Sequence, residues 1–136
     1  SLGLVGSEMC IRDSLTDRVI LHGRISSEKL NNLLAQSYSS ILFSNYENLP
    51  CVIVEAFAAG VPFISTNVGG IEEIINKERG ILIRPQNEKE LVKAMNQVLI
   101  KKWDKEAIRN YAINSFSYHK IGQELNSIYR EIVGKQ

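Results

Sequence analysis

The stretch Ser44–Gly70, S-N-Y-E-N-L-P-C-V-I-V-E-A-F-A-A-G-V-P-F-I-S-T-N-V-G-G, decides how the rest of the chain reads. It parses as a loop, a helix, a tight turn, a strand and a second loop. The helix spans Cys51–Ala59 and stops at Gly60, a favourable residue just past a helix C-terminus. Pro62–Thr66 is the strand, and Gly69-Gly70 breaks the chain. Two carboxylates, Glu47 and Glu55, have seven residues between them. Glu47 belongs to the loop ahead of Pro50, and Glu55 sits one to two turns inside the helix. That helix is apolar on every side except at Glu55. A helix apolar all round is normally buried, and an acid is rarely buried unless something satisfies it. Glu55 is therefore the anomaly from which a functional reading starts.

Outward from this stretch, the chain alternates strands and helices. Upstream, Arg18–His22 (R-V-I-L-H) is a short β-branched run ending at Gly23, read as a buried strand. Ser26 and Ser27 start a helix that carries Leu30, Leu33 and Leu34 to about Gln36. Ser40–Ser44 reads as a second buried strand. Downstream, Ile71–Ile75 starts a short helix with Glu72 and Glu73 in its first turn, where the helix dipole favours acids. Gly80–Arg84 is a further strand. Glu88–Lys101 is an amphipathic helix on Leu91, Val92, Met95, Val98 and Leu99. Another helix runs from Asp104 to about Asn114, and a last one has Tyr118, Ile121, Leu125, Ile128, Tyr129 and Ile132 at helical spacing, read as a packing stripe. Such alternation implies parallel strands with right-handed crossovers, an α/β layered fold. Ligands of such sheets bind at the carboxyl ends of the strands. The loops bearing Glu47 and Gly69-Gly70 leave the carboxyl ends of two neighbouring strands, so both enter one crevice.

Composition narrows the classes. The 136 residues fit one domain, and 44% hydrophobic with 23% charged residues is ordinary for a globular protein. A formal net charge of +1 gives no field for nucleic acid. No apolar run reaches the roughly 18 residues of a membrane span. Cys10 and Cys51, far apart in a chain of ordinary core composition, do not suggest a disulfide framework, and no cluster of His and Cys proposes a metal site. The opening residues have no helix or strand period. Leu4–Ser14, L-V-G-S-E-M-C-I-R-D-S, resembles the translation of a transposase adapter used in sequencing libraries. Residues 1–14 are accordingly expected to be non-native, with the domain proper in 15–136.

Several residue types converge on one chemistry. The helix beginning at Cys51 offers free N–H groups and a partial positive charge suited to phosphate. Gly69 and Gly70 permit close backbone approach. Carboxylates accept hydrogen bonds from sugar or ribose hydroxyls. Together these describe a nucleotide-sugar, although each cue has a plainer reading. Glu47 also reads as a solvated loop acid, Glu55 as a half-exposed helix residue, and the glycines as a turn. Arg24, Arg79 and Arg84 read as surface charges, with Arg24 just past a strand end within reach of the crevice. His22 reads as a packed strand histidine, and Cys51 as a small apolar residue at a helix start.

The ordered motifs carry a resemblance. His22-Gly23, S-N-Y-E-N-L-P at Ser44–Pro50, E-A-F-A-A-G-V-P at Glu55–Pro62, V-G-G at Val68–Gly70, G-I-L-I-R-P at Gly80–Pro85 and S-F-S-Y with its tail helix occur in series. This series resembles the C-terminal, donor-binding half of retaining GT-B glycosyltransferases of family 4 type. The resemblance implies a Rossmann-like parallel sheet with flanking helices, truncated at its N-terminus. It places Glu47 beside the donor sugar, as the catalytic candidate, and Glu55 on the ribose hydroxyls. Asn48 and Leu49, with Pro50, fall where backbone groups meet sugar and pyrophosphate. Asn-Leu stands here where Gly-Phe is common. Gly69 and Gly70 line the cleft. No cofactor and no metal are implied; the partners are a nucleotide-diphosphate-sugar donor and a glycan or lipid-linked acceptor held by an N-terminal half absent here.

The resemblance also implies a cytoplasmic enzyme and leaves room for association of the intact protein with the inner face of a membrane. It sets the first two strands of the donor half, with their diphosphate-binding Gly-Arg and Lys, between Arg18–His22 and Ile41–Phe43, and this chain lacks them. The fragment is therefore expected to be marginally stable and without turnover. A non-catalytic nucleotide-binding module and a GT-B-fold sugar-nucleotide epimerase are the alternatives.

Overall fold

A computed structural model describes residues 18–134. Three short strands, β1 (Ser40–Leu42), β2 (Phe63–Thr66) and β3 (Gly80–Ile83), form one sheet in that order. Both pairings are parallel, with Ile41 opposite Ile64 and Ile64 opposite Ile81. Among the described residues, five α-helices accompany them: α1 (Ser27–Gln36), α2 (Cys51–Ala58), α3 (Glu88–Ile100), α4 (Lys105–Phe116) and α5 (Tyr118–Val133). A 3-10 turn, Ile71–Glu73, lies between β2 and β3. The expected α/β, Rossmann-like alternation is the architecture found.

Local chemistry explains the element boundaries. Ser26, Asn87, Asp104 and Ser117 each accept a hydrogen bond from the backbone N–H three residues on, which caps α1, α3, α4 and α5. Helix α2 ends where Gly60 takes φ +73°, a conformation glycine adopts without a Cβ penalty, and donates to the Phe57 carbonyl at 2.8 Å.

Alternation along the strands divides the core between two faces of the sheet. On one face, Phe63 joins Ile53, Ala56 and Phe57 of α2, Ile108 and Ala112 of α4, Leu34 of α1, and Ile71, Ile74 and Ile75. Phe57 meets Phe63 and Tyr111 edge to face, at centroid distances of 6.5 and 6.2 Å. On the other face, Ile64 and Ile83 pack with Ala94 and Val98 of α3.

Several expectations are corrected. Arg18–His22 is not a strand: the run is irregular, His22 is exposed, and Ile20 and Leu21 are 75% and 60% exposed. A strand is held by a hydrogen-bonded neighbour, and this run pairs with none of the three described strands. Strand β1 is shorter than Ser40–Ser44 and lies at the sheet edge, so Ile41 is exposed rather than buried. Helix α2 is not buried all round: Ile53, Ala56 and Phe57 face the core, while Cys51, Glu55 and Ala58 face out. Of the apolar stripe on α3, Val92, Met95 and Leu99 stay exposed, and Ala94 joins Val98 in the core. No residue of α5 is buried, and Tyr118 is fully exposed, so the described residues leave that stripe largely open.

Arg79 is no surface charge either. Its guanidinium lies 3.6 Å above the centre of the Tyr111 ring, and its Nε donates to the Ile74 carbonyl at 3.1 Å. The adapter-like residues 4–14 lie outside the described residues. No helix among the described residues is long and apolar enough to cross a membrane.

Candidate functional site

The carboxyl ends of β1 and β2 bring two loops into contact. Backbone N–H of Gly70 donates to the Asn48 carbonyl at 3.2 Å. Gly69 has φ +57°, and a Cβ on it would overlap the Glu47 carbonyl oxygen. Only a residue without a side chain lets the two backbones approach this closely. Glu47, Asn48, Gly69 and Gly70 are thus neighbours in space.

The Glu47 side chain is held from below. Ser44 Oγ donates to Glu47 Oε1 at 2.8 Å. Ser44 is itself fixed by Thr66 at the end of β2: the Thr66 hydroxyl donates to the Ser44 carbonyl at 2.6 Å and accepts from the Ser44 N–H at 3.2 Å. Glu47 is half-buried, whereas Asn48 and Leu49 are exposed. Neither Ser44 nor Thr66 stands out in the sequence as a supporting residue. The signal was present as a hydroxyl three residues before the acid and a threonine closing the neighbouring strand.

Pro50 closes this loop as the N-cap of α2 and makes no side-chain cap bond. The other four described α-helices are capped by a side-chain oxygen. The first turn of α2 consequently keeps N–H groups, and the positive end of its dipole, open to an incoming anion.

Glu55 and Arg24 lie elsewhere. Glu55 is exposed and borders a cavity of about 510 Å³ between α1, α2 and α4, lined also by Asn31, Asn32, Ala35, Ala58, Ala59 and Arg109. None of the other candidate residues lines that cavity. Arg24 is exposed in the irregular segment before α1. At the third strand end, Arg84 is committed to Glu90: its backbone N–H and Nε donate to the carboxylate at 2.8 and 2.6 Å. These bonds, the backbone one foremost, hold the Glu90 carboxyl below the usual carboxylate range. On the rim of the β2 loop, the Asn67 amide donates to Glu72 at 3.3 Å. The described strand ends thus present carboxylates, backbone N–H groups and carboxamides, with Arg84 already paired.

The same order of strands, loops and helices occurs in known proteins. The chain is 28% identical over 140 aligned positions to an uncharacterised glycosyltransferase of Methanocaldococcus jannaschii, which covers 94% of this chain and 35% of the relative. It is 29% identical over 126 positions to an alpha-D-kanosaminyltransferase of Streptomyces kanamyceticus, covering 87% of this chain and 32% of that one. Among solved structures it superposes on sucrose-phosphate synthase from Thermosynechococcus elongatus with a TM-score of 0.79 and 27% identity, over 96% of this chain and 34% of that chain. The chain spans about a third of the length of these relatives. The sequence model of "Glycosyl transferases group 1" matches residues 8–115. With the strand-end loops, the sheet order and most of its length accounted for by that match, the chain belongs to the glycosyl transferases group 1 family, with the fold of the GT-B enzymes.

Proposed function

We propose that this chain is the donor-binding part of a retaining glycosyltransferase of the hexosyltransferase type. The intact enzyme moves a sugar from a nucleotide-diphosphate donor to an acceptor hydroxyl on a glycan, a lipid-linked carrier or a small molecule. The observation that carries the reading is the junction of the Glu47 loop and the Gly69-Gly70 loop beside the uncapped start of α2. A sugar diphosphate laid there would meet a carboxylate for its hydroxyls and backbone N–H groups for its phosphates. Glycosyl transfer builds positive charge on the sugar and negative charge on the departing diphosphate, and fixed groups aimed at both lower the barrier. Glu47 serves the sugar, with Asn48, Leu49 and Pro50 forming its loop, and the α2 N-terminus serves the diphosphate. The reading runs the nucleoside on from this junction to Glu55, at the separate cavity between α1, α2 and α4, as acceptor of the ribose hydroxyls, with Arg24 as a flanking cation. No metal takes part. The reading assigns the acceptor to a further domain of the intact enzyme and expects no turnover from these 136 residues alone.

The test is equilibrium binding of nucleoside diphosphates to the intact enzyme and its Glu55→Gln variant. Loss of a charged hydrogen bond to the ribose predicts weakening by about 1–3 kcal/mol. Unchanged affinity would sink the ribose assignment.

A further inference from the structure

We propose that Thr66 is a positioning residue for the Glu47 carboxylate, acting through Ser44. The inference rests on the reading of Glu47 as the acid beside the donor sugar.

Thr66 is fully buried at the end of β2. The backbone ladder between β1 and β2 ends at Leu42 opposite Ser65. Beyond it, the Thr66 side chain does the work of the ladder. Its single hydroxyl engages both backbone polar groups of Ser44, donating to the carbonyl and accepting from the N–H. Two bonds converging on one oxygen fix where the Ser44 backbone lies, and so the point from which its Oγ reaches. That Oγ donates to Oε1 of Glu47. The Glu47 backbone is meanwhile confined by Gly69 and by the Gly70–Asn48 bond. With its main chain held on one side and Oε1 on the other, the carboxylate presents Oε2 to a ligand.

A glutamate on a loop has three side-chain torsions to order, and freezing them ahead of binding removes that cost from the binding step. A purely structural tie between strands would require only that Thr66 hold Ser44. The extra link to Glu47 distinguishes a positioning role, and it has its own readout.

The experiment uses the isotope-labelled 136-residue chain in an osmolyte that favours the compact state. Exchange of the Ser44 amide proton and the three-bond couplings that report Glu47 side-chain rotamers are measured. The parent is expected to show one Glu47 rotamer, and Thr66→Ser, which keeps the hydroxyl, is expected to match it. Thr66→Val should raise Ser44 amide exchange about tenfold, the effect of one lost hydrogen bond, and bring the Glu47 couplings to averaged values. Ser44→Ala should average the Glu47 couplings alone. The proposal is overturned if Thr66→Val leaves a single Glu47 rotamer, or if Thr66→Ser behaves like Thr66→Val. If Thr66→Val does not fold, Ser44→Ala decides, and an unchanged Glu47 rotamer overturns the proposal. Titration with uridine diphosphate glucose and guanosine diphosphate mannose separates the underlying reading. Silence of the Glu47 resonances to both counts against donor binding, while the couplings still decide the positioning.

Discussion

The two faces of the sheet are finished to different degrees. The face of Phe63 is closed by α1, α2 and α4, and its aromatic residues Phe63, Phe57, Tyr111 and Phe116 meet edge to face in succession. Among the described helices, the face of Ile64 has α3 alone, with Trp103 beside it. Beside β1, a cavity of about 250 Å³ lies between Tyr38, Ile41, Ile64, Met95, Val98 and Leu99, and Ile41, Met95 and Leu99 are 44%, 44% and 60% exposed. Parallel sheets are stable when both faces are covered. The difference teaches where the chain supplies its own partners. The first face is closed by helices the chain itself brings back to it, α4 packing on α2 across several intervening elements. The β1 side of the second face calls for apolar surface that the described residues do not bring.

The largest blow to that contrast is Phe57→Ala. Truncating a fully buried aromatic side chain costs about 3–5 kcal/mol, enough to unfold a small domain, and the urea midpoint would read it. A loss below about 1 kcal/mol would mean that the closed face is not the source of stability. Next comes Gly69→Ala, which forces a non-glycine residue to positive φ, at a cost of about 1–3 kcal/mol, and drives a Cβ into the Glu47 carbonyl. Loss of hydrogen-exchange protection at the Gly70 amide, with the Phe57 cluster still protected, is the expected result.

On the open face, Leu99→Lys should change stability by no more than about 0.5 kcal/mol and should improve solubility. A clear loss of stability would show that something covers that groove in solution, and the comparison would fail. The smallest effect concerns Glu90. Its folded pKa lies below the unfolded one, so its contribution is present above the unfolded value, about 4.3, and is lost as pH falls through the folded value. The difference in melting temperature between parent and Glu90→Gln should therefore be small at neutral pH, as befits a pair that faces solvent, and vanish in acid.

What the sequence discloses follows the same division. The helix starts at Ser26 and Asp104 were legible because capping is a local event, decided within four residues. The meeting of the Glu47 and Gly69-Gly70 loops could be anticipated because parallel topology sends both carboxyl ends to one edge. Burial is another matter. Periodicity says which side of a helix is apolar, as it does for Tyr118–Ile132, but not what will cover it. Arg18–His22 has the composition of a strand, and composition cannot supply its hydrogen-bonding neighbour. Glu55 looks buried because the residues around it are apolar. Ala58 and Cys51, which share its outward side, are small enough to tolerate water. Arg79 looks like a surface charge because the Tyr111 ring beneath it comes from 32 residues further along. Thr66 passes unnoticed for a similar reason, since its partner Ser44 lies past the end of a different strand.

Trp103 joins the two faces. It is the single tryptophan of the chain. Its indole N–H donates to the Val98 carbonyl at 3.0 Å, and the Lys101 ammonium lies 3.9 Å from its ring centre. It packs against both core clusters. One fluorophore therefore reports on both sides of the sheet at once. A single sigmoidal change in its emission during denaturation would mean that the unequal faces melt as one cooperative unit, and two steps would date the failure of each.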